Sequence, residues 1–394
     1  MSSEKRKIVY CTPALYMAGG EERVLSLKAS YFADVFDYDV TIILTEGNDH
    51  PYFYPISDKV NIINLNINFE ELWTCSFFKK IVLYLKKQKR YKRRLTTELM
   101  RIRPDITISM MRREINFIND IDDGSYKIGE IHVNRAHFRN FEDSDRNTLK
   151  KIFSYFWQKS LLKHVKKLDK FVVLTDNDKS LWPELSNVVT IPDMLSFVPS
   201  SYSLLSEKRV IAVGRYCYQK GFDMLLQAWA IVQQRNPEWR LDIFGDGDRR
   251  PFWKLMEELH IDGKRCSLNS RTSDIETEYI NSSLFVLSSR FEGFGLVIVE
   301  AMACGLPIVS FDCEYGPGAI INNGVDGLLV EVNNVQKLAE AILYVISDED
   351  ICKKLSINSR RSVTRFSVNV ITDMWRNLFE ELISSNANKM PVSN

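Results

Sequence analysis

Long apolar runs are missing from this chain: no stretch reaches the about eighteen apolar residues that a membrane-spanning helix requires. The start, MSSEKRKIVYCTPALYMAGG, passes from charged residues directly into a short strand pattern. It lacks the apolar core and small-residue cleavage site of a signal peptide, so a cytoplasmic protein is expected. Cysteine is sparse. The seven, Cys11, Cys75, Cys217, Cys266, Cys304, Cys313 and Cys352, form no CxxC pair and share no zinc-like spacing with histidine. Reduced thiols are expected and a structural zinc site is not. Neither sign of charge dominates: 52 Lys and Arg face 51 Asp and Glu, a net charge of +1, and no global field points to nucleic acid. Also absent is a G-x-G-x-x-G run after a strand with a later acidic ribose ligand, the signal of a dinucleotide oxidoreductase. What is present is 394 residues, 45% hydrophobic and 26% charged, long enough for two domains that each bury a core.

Strand and helix patterns take turns along the chain. KIVYCTP is a short apolar run ending in turn residues, and GGEERVLSLKASYFAD follows with Val24, Leu25, Leu27 and Phe32 at roughly helical spacing. DVTIILT, VNIINLN, DITISMM, KIGEIHV and FVVLT repeat the strand signal. After the Pro- and Ser-rich TIPDMLSFVPSSYSLLSEKR a second series begins: RVIAVGR, RLDIFGDG, RCSLNS, LFVLSSR, PIVSFD and GLLVEV. Such alternation predicts parallel sheets covered by helices. The linker divides them into two doubly wound, Rossmann-like α/β domains, residues 1–195 and 196–365. The tail, residues 366–394, carries one more helix from Phe366 to about Ser384, with Val370, Met374, Trp375, Leu378 and Phe379 on its apolar side.

Parallel α/β domains hold ligands at the carboxyl ends of their strands, where glycine turns lead into helix N-termini. Two turns fit. Gly19 and Gly20 follow the first strand, a pattern that also suits a plain tight turn. EGFG follows LFVLSS: Gly293 and Gly295 let the backbone approach a ligand, and a helix starting near Leu296 turns free N–H groups and its positive dipole end to the same point. Glu292 stands just before this anion cradle, and Glu300 lies one helical turn beyond Leu296. Carboxylates are poor neighbours for phosphate but good acceptors for sugar hydroxyls. A phosphate held between two sugar rings, with one carboxylate for each ring, satisfies both facts.

SSRFEGFGLVIVEAMACGLPIVS, with seven residues between Glu292 and Glu300, closely resembles the signature of retaining GT-B glycosyltransferases, a nucleotide-sugar-dependent group that includes many bacterial polysaccharide enzymes. Four further segments fall in that family's order: GGEERV at 19–24, GRYCYQKGFDMLLQAW at 214–229, DIFGDG at 242–247 and NGVDGLLV at 323–330. The resemblance spans nearly the whole chain. It implies a GT-B fold, two domains facing across a cleft, with acceptor binding in 1–195, donor binding in 196–365 and the C-terminal helix crossing back onto the N-terminal domain. Arg215 and Lys220 would then grip the donor pyrophosphate through charge-assisted hydrogen bonds, each worth about 1.5–3 kcal/mol. Glu300 would accept from ribose hydroxyls and Glu292 would meet the transferred sugar. The N–H groups of Gly293, Phe294, Gly295, Leu296 and Val297 would line sugar and phosphate, and Gly19, Gly20, Gly245 and Arg271 complete the donor set. His132, at the end of KIGEIHV, would reach the transferred sugar and the acceptor. His137 competes for that role, and Glu130 is expected on the opposite face of the strand.

The implied activity is a retaining transfer of a hexose or N-acetylhexosamine from a UDP-sugar to a growing, lipid-linked surface glycan of capsule or lipopolysaccharide type. No metal or other cofactor is expected, because Arg215, Lys220 and the helix N-terminus supply the charge that stabilises the departing nucleotide. The Asp-x-Asp triplets starting at Asp37, Asp143 and Asp246 fall in turns and are read as ordinary acidic patterns. Two alternatives fit the same residues: a nucleotide-sugar epimerase of the same architecture, and a non-catalytic, membrane-bound partner in polysaccharide assembly. KKIVLYLKKQKRYKRRLTTELMRIR, residues 79–103, is dense in Lys and Arg against the single acid Glu98. Its part 79–94 reads as an amphipathic helix on the anionic inner face of the cell membrane, each cation adding on the order of 1 kcal/mol. A solvated helix face is the plainer reading. Nucleic acid is not expected, since no stacking platform accompanies the run. Ala319 stands where these enzymes usually carry Glu, so the resemblance leaves the donor sugar open, and IPDMLSF replaces the family's IPNG-type link, so the contact made by that Asn is not implied here.

Overall fold

A computed structural model of the chain describes residues 5–47, 50–135 and 159–387. The chain divides into two units, one of residues 1–174, 178–191 and 369–394, the other of residues 175–177 and 192–368. These borders lie a few residues from the expected 195/196 and 365/366.

The first unit holds a seven-stranded sheet built from β1 (Lys7–Thr12), β2 (Asp39–Leu44), β3 (Asn61–Asn64), β4 (Ile106–Ser109), β5 (Tyr126–Glu130), β6 (Lys170–Val173) and β7 (Val188–Thr190), in the order β3-β2-β1-β4-β5-β6-β7. The second holds β8 (Arg209–Val213), β9 (Arg240–Phe244), β10 (Cys266–Asn269), β11 (Leu284–Leu287), β12 (Ile308–Phe311) and β13 (Gly327–Val330), in the order β10-β9-β8-β11-β12-β13. Both sheets are parallel throughout. The inner strands are buried on both faces, which is why they read as unbroken apolar runs. β7 was not expected: three residues carry too short a pattern to register, and pairing with β6 holds it at the edge. In each sheet the first strand sits between its successor and a later strand, β1 between β2 and β4, β8 between β9 and β11. Strand order reverses there, and that is where such sheets open a crevice for ligands.

Helix α1 (Gly20–Asp34) buries Val24, Leu25, Ala29, Phe32 and Ala33, while Leu27, expected on the apolar side, is only partly buried. Lys28 is fully buried in its place. Helix α2 (Phe77–Ile102) sets Tyr91, Leu95 and Leu99 into the core of the first unit. The expectation of a whole basic run lying on a bilayer is corrected here. Lys87 Nζ donates to the carbonyl oxygens of Ile67 at 2.6 Å and Asn68 at 2.9 Å, Arg94 donates to the Leu65 carbonyl, and Lys92 pairs with Asp120 at 2.7 Å. Lys87 and Arg94 satisfy backbone oxygens of the fold, so they are not available to a surface, whereas Lys92 stays 45% exposed beside its carboxylate. Lys79, Lys80, Lys86, Lys89, Arg90 and Arg93 remain exposed, beside exposed Phe78, Ile81, Val82 and Leu85.

The C-terminal helix α3 (Val368–Ala387) belongs to the first unit from Asn369 onward. Ile371, Trp375, Leu378, Phe379 and Leu382 enter the core at helical spacing, and the Phe379 ring meets Phe32 edge-on at 5.6 Å. Arg6 forks onto Glu380 at 3.1 and 2.9 Å, and Lys170 reaches Glu381 at 2.8 Å. Val370 and Met374, expected on the apolar side, are exposed. Each precedes a core residue by one position, a rotation of about 100° around the helix.

Candidate active site

In the second unit the chain leaves β8 through Gly214 and Arg215 into a tight turn, Tyr218–Lys220. Lys220 Nζ lies 2.6 Å from Glu292 Oε1, and the side chains are only 13% and 7% exposed. The Ser289 hydroxyl donates to the same oxygen at 2.6 Å. Backbone packing explains the glycines around this pair. A Cβ on Gly214 would meet the Lys220 stem at 2.9 Å, and one on Gly245 would stand 1.7 Å from the Gly214 oxygen, so the turns after β8 and β9 touch backbone to backbone. Gly295 has φ +105, a conformation that side chains resist, and caps the start of a helix over Leu296–Ala303. Its first N–H groups have no partner within the helix and carry its positive end.

Glu300 is buried on that helix, accepting from the Ser196 hydroxyl at 2.6 Å and from the Tyr279 hydroxyl at 3.3 Å. Neither partner was expected, because each is far from Glu300 in sequence and unremarkable in its own segment. Arg215 is exposed, its guanidinium 3.3 Å from Gln219 Oε1. Gly293, Leu296 and Val297 are partly buried along the turn. The Phe294 ring is buried, edge-on to Phe366 at 5.4 Å, which leaves its backbone N–H, the group expected to serve a ligand, as its part in the turn. Arg271 is half-exposed and pairs with Asp246 at 3.4 Å, and Asp248 is forked by Arg250 at 2.8 and 2.7 Å. Of the other triplets, Asp37 is engaged by Lys5 and Asp39 by Asn61, while Asp143 and Asp145 lie outside the described residues. Among the described residues no group of three or more His, Cys, Asp and Glu could hold a metal ion.

In the first unit Gly19 and Gly20 open α1, with Gly19 extended at φ −88. Glu21, next along, takes Arg112 at 2.6 Å. His132 stands two residues past β5, and its Nε2 lies 3.0 Å from Glu130 Oε1. The expectation that Glu130 faces away is overturned, since alternation along an extended segment puts residues two apart on one side. Lys28 donates to the same Glu130 oxygen, a contact no sequence pattern announced, because a lysine in an amphipathic helix reads as solvent-facing. Burial pushes the Glu130 carboxyl up, but Lys28 and His132 outweigh it and hold it at about 2. His137 lies outside the described residues. A second unexpected cluster forms beyond β2, where Arg113 meets Glu46 at 3.2 Å and the Tyr16 hydroxyl donates to Glu70. Burial pushes the Glu46 carboxyl up to about 7, opposed by Arg113 and reinforced by Glu70.

Comparison with known proteins bears on the fold and the family. The family described as glycosyl transferases group 1 matches residues 200–362, which is most of the second unit. An uncharacterized glycosyltransferase of Haemophilus influenzae is 27% identical over 378 residues, covering 95% of this chain and 99% of that protein. The amylovoran biosynthesis glycosyltransferase AmsD of Erwinia amylovora is 25% identical over 387 residues, covering 94% and 99%. A solved structure of a Staphylococcus aureus TarM variant, in complex with Fondaparinux, alpha-GlcNAc-glycerol and UDP, superimposes with a TM-score of 0.73 at 16% identity, covering 95% of this chain and 99% of that one. The chain is a glycosyltransferase of the GT-B fold, and its second unit carries the group 1 glycosyltransferase domain.

Proposed function

We propose that this glycosyltransferase is a retaining, metal-independent enzyme that moves a hexose or N-acetylhexosamine from a UDP-sugar to a growing, lipid-linked bacterial surface glycan. The observation that carries the reading is the buried Lys220–Glu292 pair beside a glycine-capped helix N-terminus. Negative charge grows on the diphosphate oxygen as the bond to the sugar breaks. An ammonium has three donors, so Lys220 can hold Glu292 and a phosphate oxygen together. Arg215 closes on the phosphates from the exposed side, and the first N–H groups of the helix add their positive end. Donors held in place before reaction stabilise the new charge without reorganising, which leaves no task for a metal. Glu292, oriented by Lys220 and Ser289, accepts from a hydroxyl of the transferred sugar. Glu300, oriented by Ser196 and Tyr279, accepts from the ribose. His132 is read as an acceptor for a hydroxyl of the transferred sugar or of the acceptor.

The acceptor oxygen bonds to the anomeric carbon on the face from which UDP departs, and its proton passes to the departing phosphate oxygen. UDP in the TarM complex and the biosynthetic role named for AmsD support the donor and acceptor classes. For the lipid link, the supporting feature is the exposed side of α2, where Phe78, 82% exposed, and Leu85, 62% exposed, stand among cations. Apolar side chains beside cations suit an anionic membrane surface, here the inner face of the cell membrane.

A panel of UDP-sugars, with and without lipid-linked acceptor and with EDTA, tests this. The expected result is acceptor-dependent UDP release that survives EDTA and a product keeping the donor's anomeric configuration. Isomerised sugar nucleotide formed without acceptor would favour an epimerase, and a strict need for Mg²⁺ or Mn²⁺ would overturn the metal-independent reading.

A further inference from the structure

We propose that Lys28 and Glu130 form a charge-compensated pair that positions His132, keeping its imidazole neutral with the hydrogen on Nε2. This rests on the role given to His132 above. Three elements meet in the arrangement: Lys28 comes from α1, Glu130 ends β5, and Trp375 of α3 lays its ring 4.1 Å from the Lys28 ammonium. The Tyr10 ring of β1 stands 5.4 Å from the same ammonium. Lys28 and Glu130 are 0% and 2% exposed at their side chains, and His132 is 6% exposed.

Buried ion pairs are weak devices for stability, since apolar residues of the same volume do as well or better. The pair here also makes a contact that apolar residues could not. A carboxylate only accepts, so the hydrogen in the 3.0 Å contact sits on His132 Nε2. In the neutral ring the lone pair then belongs to Nδ1, which makes His132 an acceptor for a hydroxyl. Glu130 alone would draw a proton onto the ring, and Lys28 cancels that pull. Glu22 of α1 also acts on His132, and Arg112 acts in turn on Glu22, so Lys28, Glu130, Glu22, Arg112 and Tyr10 together make up the electrostatic surroundings. Glu130 and Lys28 are thus positioning residues, acting through His132.

Ring nitrogen NMR of ¹⁵N-histidine-labelled full-length protein tests the assignment, with His132→Asn identifying the signal among the five histidines. At pH 7.5 the wild type is expected to show neutral His132 in the Nε2–H form. Lys28→Met is expected to convert it to imidazolium at the same pH. Glu130→Gln is expected to mix the tautomers and lower kcat about tenfold or more, with donor KM little changed. If Lys28→Met does not fold, the wild-type spectrum and the near-isosteric Glu130→Gln decide the matter. An Nδ1–H form or an imidazolium in the wild type overturns the proposal, as does a Glu130→Gln variant with the wild-type spectrum and kcat pH profile. The expected spectrum together with a fully active His132→Asn would overturn the part given to His132 in the reaction and leave the tautomer assignment standing.

Discussion

Replacing Lys220 with methionine strands Glu292, whose side chain is 7% exposed, without the ammonium now 2.6 Å away. Ser289 still donates a hydrogen bond but balances no charge. Removing one side of a buried pair costs about 3–5 kcal/mol, and the residual exposure of both side chains places this site near the lower end, about 3 kcal/mol. Glu292→Gln strands the lysine instead but keeps an acceptor, so its expected cost is about 2 kcal/mol. The double variant Lys220→Met/Glu292→Gln leaves neither charge uncompensated. It should also lose only about 2 kcal/mol, a coupling of about 3 kcal/mol between the two sites. Turnover should follow a different course. The leaving-group charge meets Lys220 in the proposed transition state, so Lys220→Met should lower kcat by about 10²–10³, and the double variant should not regain it. Urea unfolding followed by tryptophan fluorescence, run beside a UDP-release assay, gives both quantities on the same samples. Activity that returns with stability in the double variant would refute the leaving-group role, and absence of coupling would refute the ion pair itself.

Glu300→Gln should raise donor KM more than it lowers kcat, because the ribose contact is proposed to be made equally in ground and transition states; unchanged UDP affinity by calorimetry would remove Glu300 from that role. Gly295→Ala forces a side chain into φ +105 with its Cβ 3.1 Å from Ile298 Cδ1, so it should destabilise the chain by roughly 1–2 kcal/mol and weaken UDP binding, and a variant as stable as wild type would contradict the strained cap. Glu46 has its carboxyl raised from 4.5 to about 7, so its stabilising effect is complete below 4.5 and is lost as pH rises through 7. Glu46→Gln should therefore gain on the wild type between pH 5 and 8, on the order of 2 kcal/mol at the upper end, and a difference in Tm that does not change with pH would exclude the raised carboxyl. Changing exposed Lys86, Lys89, Arg90 and Arg93 to Gln, with Lys87 and Arg94 kept, should abolish sedimentation with anionic vesicles at an upper bound of about 1 kcal/mol per cation, while soluble-acceptor activity survives; persistent sedimentation would refute the membrane contact.

The alternation of strand and helix was legible in the sequence because parallel strands are buried on both faces and leave unbroken apolar runs, as IVYC and LFVL do. Gly295 marked its turn for a similarly local reason, since its φ of +105 is one that side chains resist. Lys220 and Glu292 could each be named from their segments. Their contact could not, for it joins residues 72 positions apart and exists because β8 and β11 are neighbours in the sheet. The same limit hid Ser196 and Tyr279 behind Glu300. Where charge was concerned, residue type alone misled. Lys28, Lys87 and Arg94 occur in helices whose patterns leave cations to solvent, yet each is drawn to an oxygen that only tertiary packing delivers: the Glu130 carboxylate at the end of β5, and the carbonyls of residues 65 to 68. Periodicity reports which side of a helix is apolar, whereas a buried cation is decided by the acceptor brought against it from another part of the chain.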